Sequence, residues 1–169
     1  YGAGPFGTQQ LADLGAEVIK VEPAGTDGDY LRELGPYFVN DEKTDSASSL
    51  FFQALNRNKK SITLNLKDNK AKEIALKIIE KADIVLESNR PGVMTKLGLD
   101  YETVKKINPG IIYCSISGVG QTGPYSKRPG FDQVIQGYGG IMGLTGEKGG
   151  GPLKVGIAVT DIATGMFAA

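Results

Sequence analysis

Four short apolar runs, each followed by a stretch with helical signals, constrain this chain most. Residues 17–22, 61–66, 83–87 and 111–116 are long enough for one strand each and too short for a buried helix. Residues 68–82 carry Ala71, Ile74, Ala75, Ile78 and Ile79 at i, i+3, i+4, i+7 and i+8, one face of an amphipathic helix. Residues 5–15 open on Pro and close on Gly, the usual helix asymmetry, with Phe6, Leu11 and Leu14 as the expected buried face. Residues 49–55 read as one or two helical turns, 91–97 as a short helix closed by Gly98, and 101–107 as another closed by Asn108-Pro109. Residues 131–144 form a Gly-rich helical segment, and the polar, Gly/Pro-punctuated residues 26–49 read as a long loop. Strands alternating with helices imply an α/β fold with a mostly parallel sheet covered on both faces.

Ligands of such sheets bind beyond the carboxyl ends of the strands. Residues 23–25, Lys67, residues 88–92, residues 117–120 and Thr160-Asp161 follow those ends and could face one crevice. The last of them closes the apolar run 155–159, which reads as a fifth buried strand, and opens residues 162–169, which read as the first turns of a buried helix. A lone carboxylate between two apolar segments is costly to bury without partners. Asp161 therefore has two compatible readings. It is an N-cap accepting backbone N–H bonds, or a nucleophile held ionised at a strand-to-helix junction by the helix dipole. Gly156, Ala158, Ala163 and Gly165 leave room for a substrate beside it.

Composition excludes several chemistries. There is no histidine, which removes His-based triads, His metal ligands and His general bases from this segment. A single cysteine, Cys114, excludes a disulfide framework and a Cys-rich metal site, and its apolar neighbours suggest a buried strand thiol. Lys plus Arg and Asp plus Glu are 19 each, so no global field attracts nucleic acid or an anionic membrane. No apolar run approaches the roughly 20 residues that span a bilayer. The 24 glycines cluster in loops without a fixed period, which argues against a repeat protein. The chain has no initiator Met and is expected to be part of a longer protein.

Three clusters suit an anionic ligand. Residues 2–5 (GAGP) precede a helix and offer backbone N–H groups. Residues 56–60 (NRNKK) with Lys67 form a basic cluster, readable as a solvated rim or as an anchor for a polyanionic small molecule; Arg90 and Lys96 add two cations. Residues 117–132 place Lys127-Arg128 in a Gly- and Pro-rich loop suited to close approach.

Together with these, Gly4-Pro5, residues 11–22 (LADLGAEVIKVE), 56–61 (NRNKKS), 89–94 (NRPGVM), Leu97-Gly98, Asn108-Pro109, 111–118 (IIYCSISG), 120–124 (GQTGP), Pro129-Gly130 and Thr160-Asp161 resemble class III CoA-transferases. That family includes formyl-CoA transferase, carnitine CoA-transferase and succinyl-CoA:dicarboxylate CoA-transferases. The resemblance runs through essentially the whole chain. It implies a Rossmann-like sheet within a larger interlaced-dimer fold, of which residues 1–169 are the N-terminal part of the large CoA-binding domain. The first strand, the small domain and the C-terminal part would lie outside. It implies that Asp161 attacks an acyl-CoA thioester, passing through an aspartyl mixed anhydride and an aspartyl-CoA thioester. By position, CoA contacts fall on Gly2, Ala3, Leu64, Asn65, Leu66, Lys67, Ser88, Asn89, Arg90, Lys96 and Arg128. The partners implied are acyl-CoA (a substrate, with no permanently bound cofactor) and a small carboxylic acid, in a homodimer without nucleic acid or membrane. The compartment implied is the cytoplasm, or the mitochondrion in a eukaryote. A glutamine that some members carry at Gly2 and an arginine some carry at Pro23 are absent. The family's racemases pair a histidine with the same aspartate; its place falls at Phe131, whose ring cannot exchange a proton. A binding module whose acid only caps a helix is the non-enzymatic alternative.

Overall fold

The computed structural model describes residues 2–41 and 46–169. The strands pair as expected for an α/β chain. β1 (Val18–Pro23) runs parallel to β4 (Lys59–Leu64), with Val18 opposite Lys59 and Pro23 opposite Leu64. β5 (Ile84–Glu87) runs parallel to β6 (Ile112–Ser115). Among the described residues these are separate two-stranded ladders. Cys114 on β6 is half-buried, and burial pushes its thiol pKa up.

The apolar core lies under β4, β5 and β6. Leu64, Ala71, Ala75, Ile79, Leu99, Val104 and Ile111 are buried together. They come from β4, from α3 (Asn69–Ile79), from α5 (Tyr101–Val104) and from the connections. Helix α3 realises the 3.6-residue periodicity, and Asp68 caps it by accepting the Lys70 N–H at 2.8 Å. Asp100 caps α5 in the same way through the Thr103 N–H at 2.9 Å. The five-residue helix α4 (Val93–Leu97) ends where Gly98 adopts φ +69°, a left-handed conformation that glycine enters without a Cβ clash.

Residues 26–49 depart from the expected loop. A 3-10 turn covers Tyr30–Arg32, and β2 (Phe38–Asp41) pairs antiparallel with β3 (Ser46–Ser49). Polar contacts rather than an apolar period hold this segment, so no hydrophobic pattern announces it. Glu22, 2% exposed, accepts two bonds from Arg32 at 2.7 and 2.8 Å, one from the Ser61 hydroxyl at 2.6 Å and one from the Asp29 N–H at 2.8 Å. Buried Ser49 caps the next helix, α2 (Leu50–Asn56).

Helix α1 (Ala3–Asp13) buries Ala3, Gly4, Gly7, Gln9 and Ala12, not the larger residues the sequence suggested; Leu14 is 86% exposed. The cause is its partner, α7 (Val159–Ala168), which packs so closely that a Cβ on Gly7 would lie 2.7 Å from the Gly165 carbonyl oxygen. A Cβ on Gly165 would lie 2.6 Å from the Ala3 carbonyl oxygen. Residues 155–159 are not a strand. Residues 155–158 form an irregular, largely exposed segment and Val159 already opens α7, because Val155 donates its N–H to a Gln136 side chain on α6 (Asp132–Tyr138) instead of to a sheet. Nor is α7 buried around its circumference in this chain: Met166 is 64% and Phe167 94% exposed.

Candidate active site

Asp161 sits in the first turn of α7 and does not cap it. Asp132, at the start of α6, takes that role. Its Oδ1 accepts the Thr160 N–H at 2.9 Å and the Thr160 hydroxyl at 2.7 Å, and lies 3.4 Å from the Asp161 N–H. Burial alone would raise the Asp132 pKa, but these bonds and one from Gln136 outweigh it and hold the carboxyl below its ordinary value. With the helix end satisfied by a neighbour, the Asp161 carboxylate is free for other work.

The Asp161 carboxyl is half-buried against Gly2. A Cβ on Gly2 would collide with its Oδ2, so the missing side chain is what lets the two meet. Burial raises the Asp161 pKa above its ordinary value and the nearby Asp132 charge adds to this, while the Gly2 N–H pulls the other way.

Asp161 lines a cavity of about 490 Å³, a volume within the range of small-molecule sites. Ala3, Ser88, Asn89, Arg90 and Arg128, all expected from sequence to touch CoA, line the same cavity. So do Ile116, the last residue of an expected strand, and Ser117, Gly118 and Thr160, which follow expected strand ends. Gly2 joins through its contact with Asp161.

The rest of the expected set lies elsewhere. Leu64 is buried in the apolar core and Leu66 packs against it; Asn65, Lys67 and Lys96 are exposed and do not line this cavity. The basic cluster 56–60 does not face it either. Arg57 and Asn58 bind Asp13 at the end of α1, and Lys60 pairs with Glu17 at 2.8 Å. Residues 23–25 contribute Pro23 to a separate cavity with Asp27, Asp29 and Glu33.

Two residues on the wall, Lys20 and Asp29, went unread in the sequence. Lys20 and Asp29 form an ion pair there, with side chains only 16% and 15% exposed. The available signal was Lys20 two residues before Glu22 inside an apolar strand, two polar groups on one face. Ser117, expected on the crevice, has a buried hydroxyl without a hydrogen-bond partner among the described residues. Arg128 is held by Tyr125, whose ring lies 4.1 Å below its guanidinium, and by the Tyr138 hydroxyl at 3.2 Å. Phe131 borders the cavity and is 56% exposed.

A carboxylate kept off helix capping, beside backbone N–H groups and two arginines, is suited to attack an activated acyl group on an anionic carrier. The model of CoA-transferase family III matches residues 1–169. This chain belongs to CoA-transferase family III. It is 49% identical over 166 residues to the succinyl-CoA:glutarate CoA-transferase of Mus musculus, covering 98% of this chain and 36% of that protein. It is 48% identical over 165 residues to the acetyl-CoA:oxalate CoA-transferase of Acetobacter aceti, covering 97% of this chain and 40% of that one. The crystal structure of a CaiB/BaiF family protein from Brucella suis superposes with a TM-score of 0.92 at 48% identity, over 98% of this chain and 43% of the other. The chain thus spans about two fifths of the length of these relatives. Among the described residues, no group of side chains could hold a metal ion and no helix is long and apolar enough to cross a membrane.

Proposed function

We propose that the chain carries the nucleophile and much of the carrier cradle of an enzyme that moves CoA from an acyl-CoA to a carboxylic acid. The observation that carries this is Asp161, uncapped and half-buried on a cavity wall that also bears Arg90 and Arg128. One carboxylate oxygen of Asp161 attacks the thioester carbonyl, and the C–S bond breaks to give a mixed anhydride and CoA thiolate. The thiolate then attacks the aspartyl carbonyl, releasing the first acid and leaving an aspartyl-CoA thioester. The incoming carboxylate attacks that thioester, and the returning thiolate forms the new acyl-CoA and frees Asp161. Each step exchanges one bond at one carbonyl, with no net proton transfer.

Arg90 and Arg128 supply forked contacts to the phosphates of CoA, and Gly2 and Ala3 offer backbone N–H groups near the reacting carbonyl. Ser88 and Asn89 belong with this cradle, and Leu64, Asn65, Leu66, Lys67 and Lys96 would meet the carrier outside the cavity. The relatives named for glutarate and oxalate support a short dicarboxylic acid as acceptor. Phe131, with no exchangeable proton, speaks against racemisation. The chain is proposed to belong to the CoA-binding α/β domain of a homodimer, whose state sedimentation of the full-length protein measures.

Replacing Asp161 by Ala in the full-length protein tests the reading. Exchange should fall by about 10³-fold or more, with an unchanged melting temperature, and hydroxylamine should release an acyl hydroxamate from the wild type only. An Ala variant that turns over normally ends the proposal.

A further inference from the structure

Lys59 is a half-buried lysine outside the cavity, with no carboxylate within ion-pair distance among the described residues. Its Nζ donates to three oxygens instead. These are the Pro5 carbonyl at 2.8 Å, the Leu55 carbonyl at 2.7 Å and the Asn56 side-chain oxygen at 3.2 Å. Three acceptors match the three protons of an ammonium group. One of them lies in the first turn of α1 and the other two at the end of α2, so the charge ties these helices at a single point. The first turn of α1 is also where the site is assembled. Pro5 and Ala3 line the cavity, Gly2 faces the Asp161 carboxylate, and the Gly7–Gly165 contact locks α1 against α7.

We infer that Lys59 is a positioning residue, whose ammonium fixes the first turn of α1 so that Gly2 and Ala3 meet Asp161 in register. This rests on the transferase reading of Asp161. Loss of the proton turns the nitrogen lone pair toward one of the three oxygens, and the clamp loosens. The ionisable groups acting on Lys59 are Lys20 on β1, Asp29 after it and Asp13 on α1; α2 has none. Burial and the Lys20 charge lower its pKa to about 8, against weaker support from Asp29 and Asp13. The ammonium is therefore present at neutral pH and lost as pH rises through about 8. Stability runs the opposite way. The unfolded chain keeps this proton up to its ordinary value of 10.5, so the cost of burying the charge is relieved above pH 8, and lost activity there is not unfolding.

The test is the pH profile of kcat/KM in the full-length protein, for the wild type, Lys59→Met and Lys59→Arg. The wild type should lose activity above about pH 8 while its melting temperature holds. Lys59→Met should be slower by about tenfold to a hundredfold, the scale of a small misplacement, with no such alkaline limb. Lys59→Arg, which keeps its charge, should recover part of the rate without the limb. Acyl hydroxamate should still form from Asp161 in Lys59→Met, more slowly, which separates this result from a failure of the nucleophile assignment. A wild-type profile flat through pH 8, or a Lys59→Met enzyme that keeps the limb, overturns the inference. The wild-type profile decides even if Lys59→Met does not fold.

Discussion

The region around α3, β5 and β6 and the region around α1, α6 and α7 are held by different forces. The first buries Leu99, Val104 and Ile111 in a continuous apolar cluster. The second closes through glycine against backbone at Gly7 and Gly165, through hydrogen bonds that Asp132 accepts from Thr160, and through Gln136, which accepts from Val155 and donates to Ile157. Apolar burial is non-directional and tolerates small shifts. A contact made by the absence of a Cβ, or by a carboxylate accepting three bonds, holds only at one separation. The candidate site occupies the second region, and alignment of the proposed nucleophile demands that precision. The first region sets where the strands end, and the second decides what meets there.

That contrast can be broken by substitution. Leu99→Ala, at 2% exposure in the apolar region, should cost about 2–5 kcal/mol by urea unfolding, with kcat per folded molecule unchanged; a loss of kcat would show that the two regions are not separable. Glu22→Gln removes the charge from a buried pair and should cost about 2–4 kcal/mol at pH 7, toward the lower end because Arg32 is partly exposed. Arg32 holds the Glu22 pKa down to about 2 from 4.5, so its contribution is present above 4.5 and lost as pH falls toward 2. The difference between wild type and variant should shrink across that window.

Gly165→Ala should cost about 1–3 kcal/mol from the forced Cβ contact but depress kcat/KM far more than that stability loss suggests, by separating α7 from α1. An active Gly165→Ala enzyme would show that this helix pair has slack. Asp132→Asn keeps the capping oxygen but loses the charge and turns an N–H toward the Gln136 amide, so it should cost about 1–3 kcal/mol. Asp161 must be ionised to attack, so kcat/KM falls as pH drops through its raised pKa. Removing the Asp132 charge should move that acid limb to lower pH, and an unmoved limb would exclude Asp132 from tuning the nucleophile.

The two regions also differ in how legible they are. The amphipathic period of residues 68–82 and the apolar strands place the elements of the first region, because burial writes itself into hydrophobic spacing, although Ile74 of the expected face is 44% exposed. Around Asp161 the pattern misleads. An apolar run reads as a strand whether its amides go to a sheet or, as at Val155, to the side chain of Gln136. The carboxylate of Asp161 reads as a cap because Asp132 lies 29 residues away in the chain yet reaches the same helix end. The antiparallel pair of β2 and β3 falls in a polar stretch that carries no apolar period at all.

Sequence alone determined the α/β alternation, the lack of histidine in these residues, the resemblance to a CoA-transferase family and the candidacy of Asp161, since each depends on residue type and local spacing. Tertiary structure alone decided that Asp161 is released from capping, that Gly2 makes room for it, and that Arg57 and Lys60 serve the scaffold rather than the cavity. Those outcomes depend on which distant groups arrive within hydrogen-bonding reach, and a one-dimensional pattern carries no distance between residues far apart in the chain.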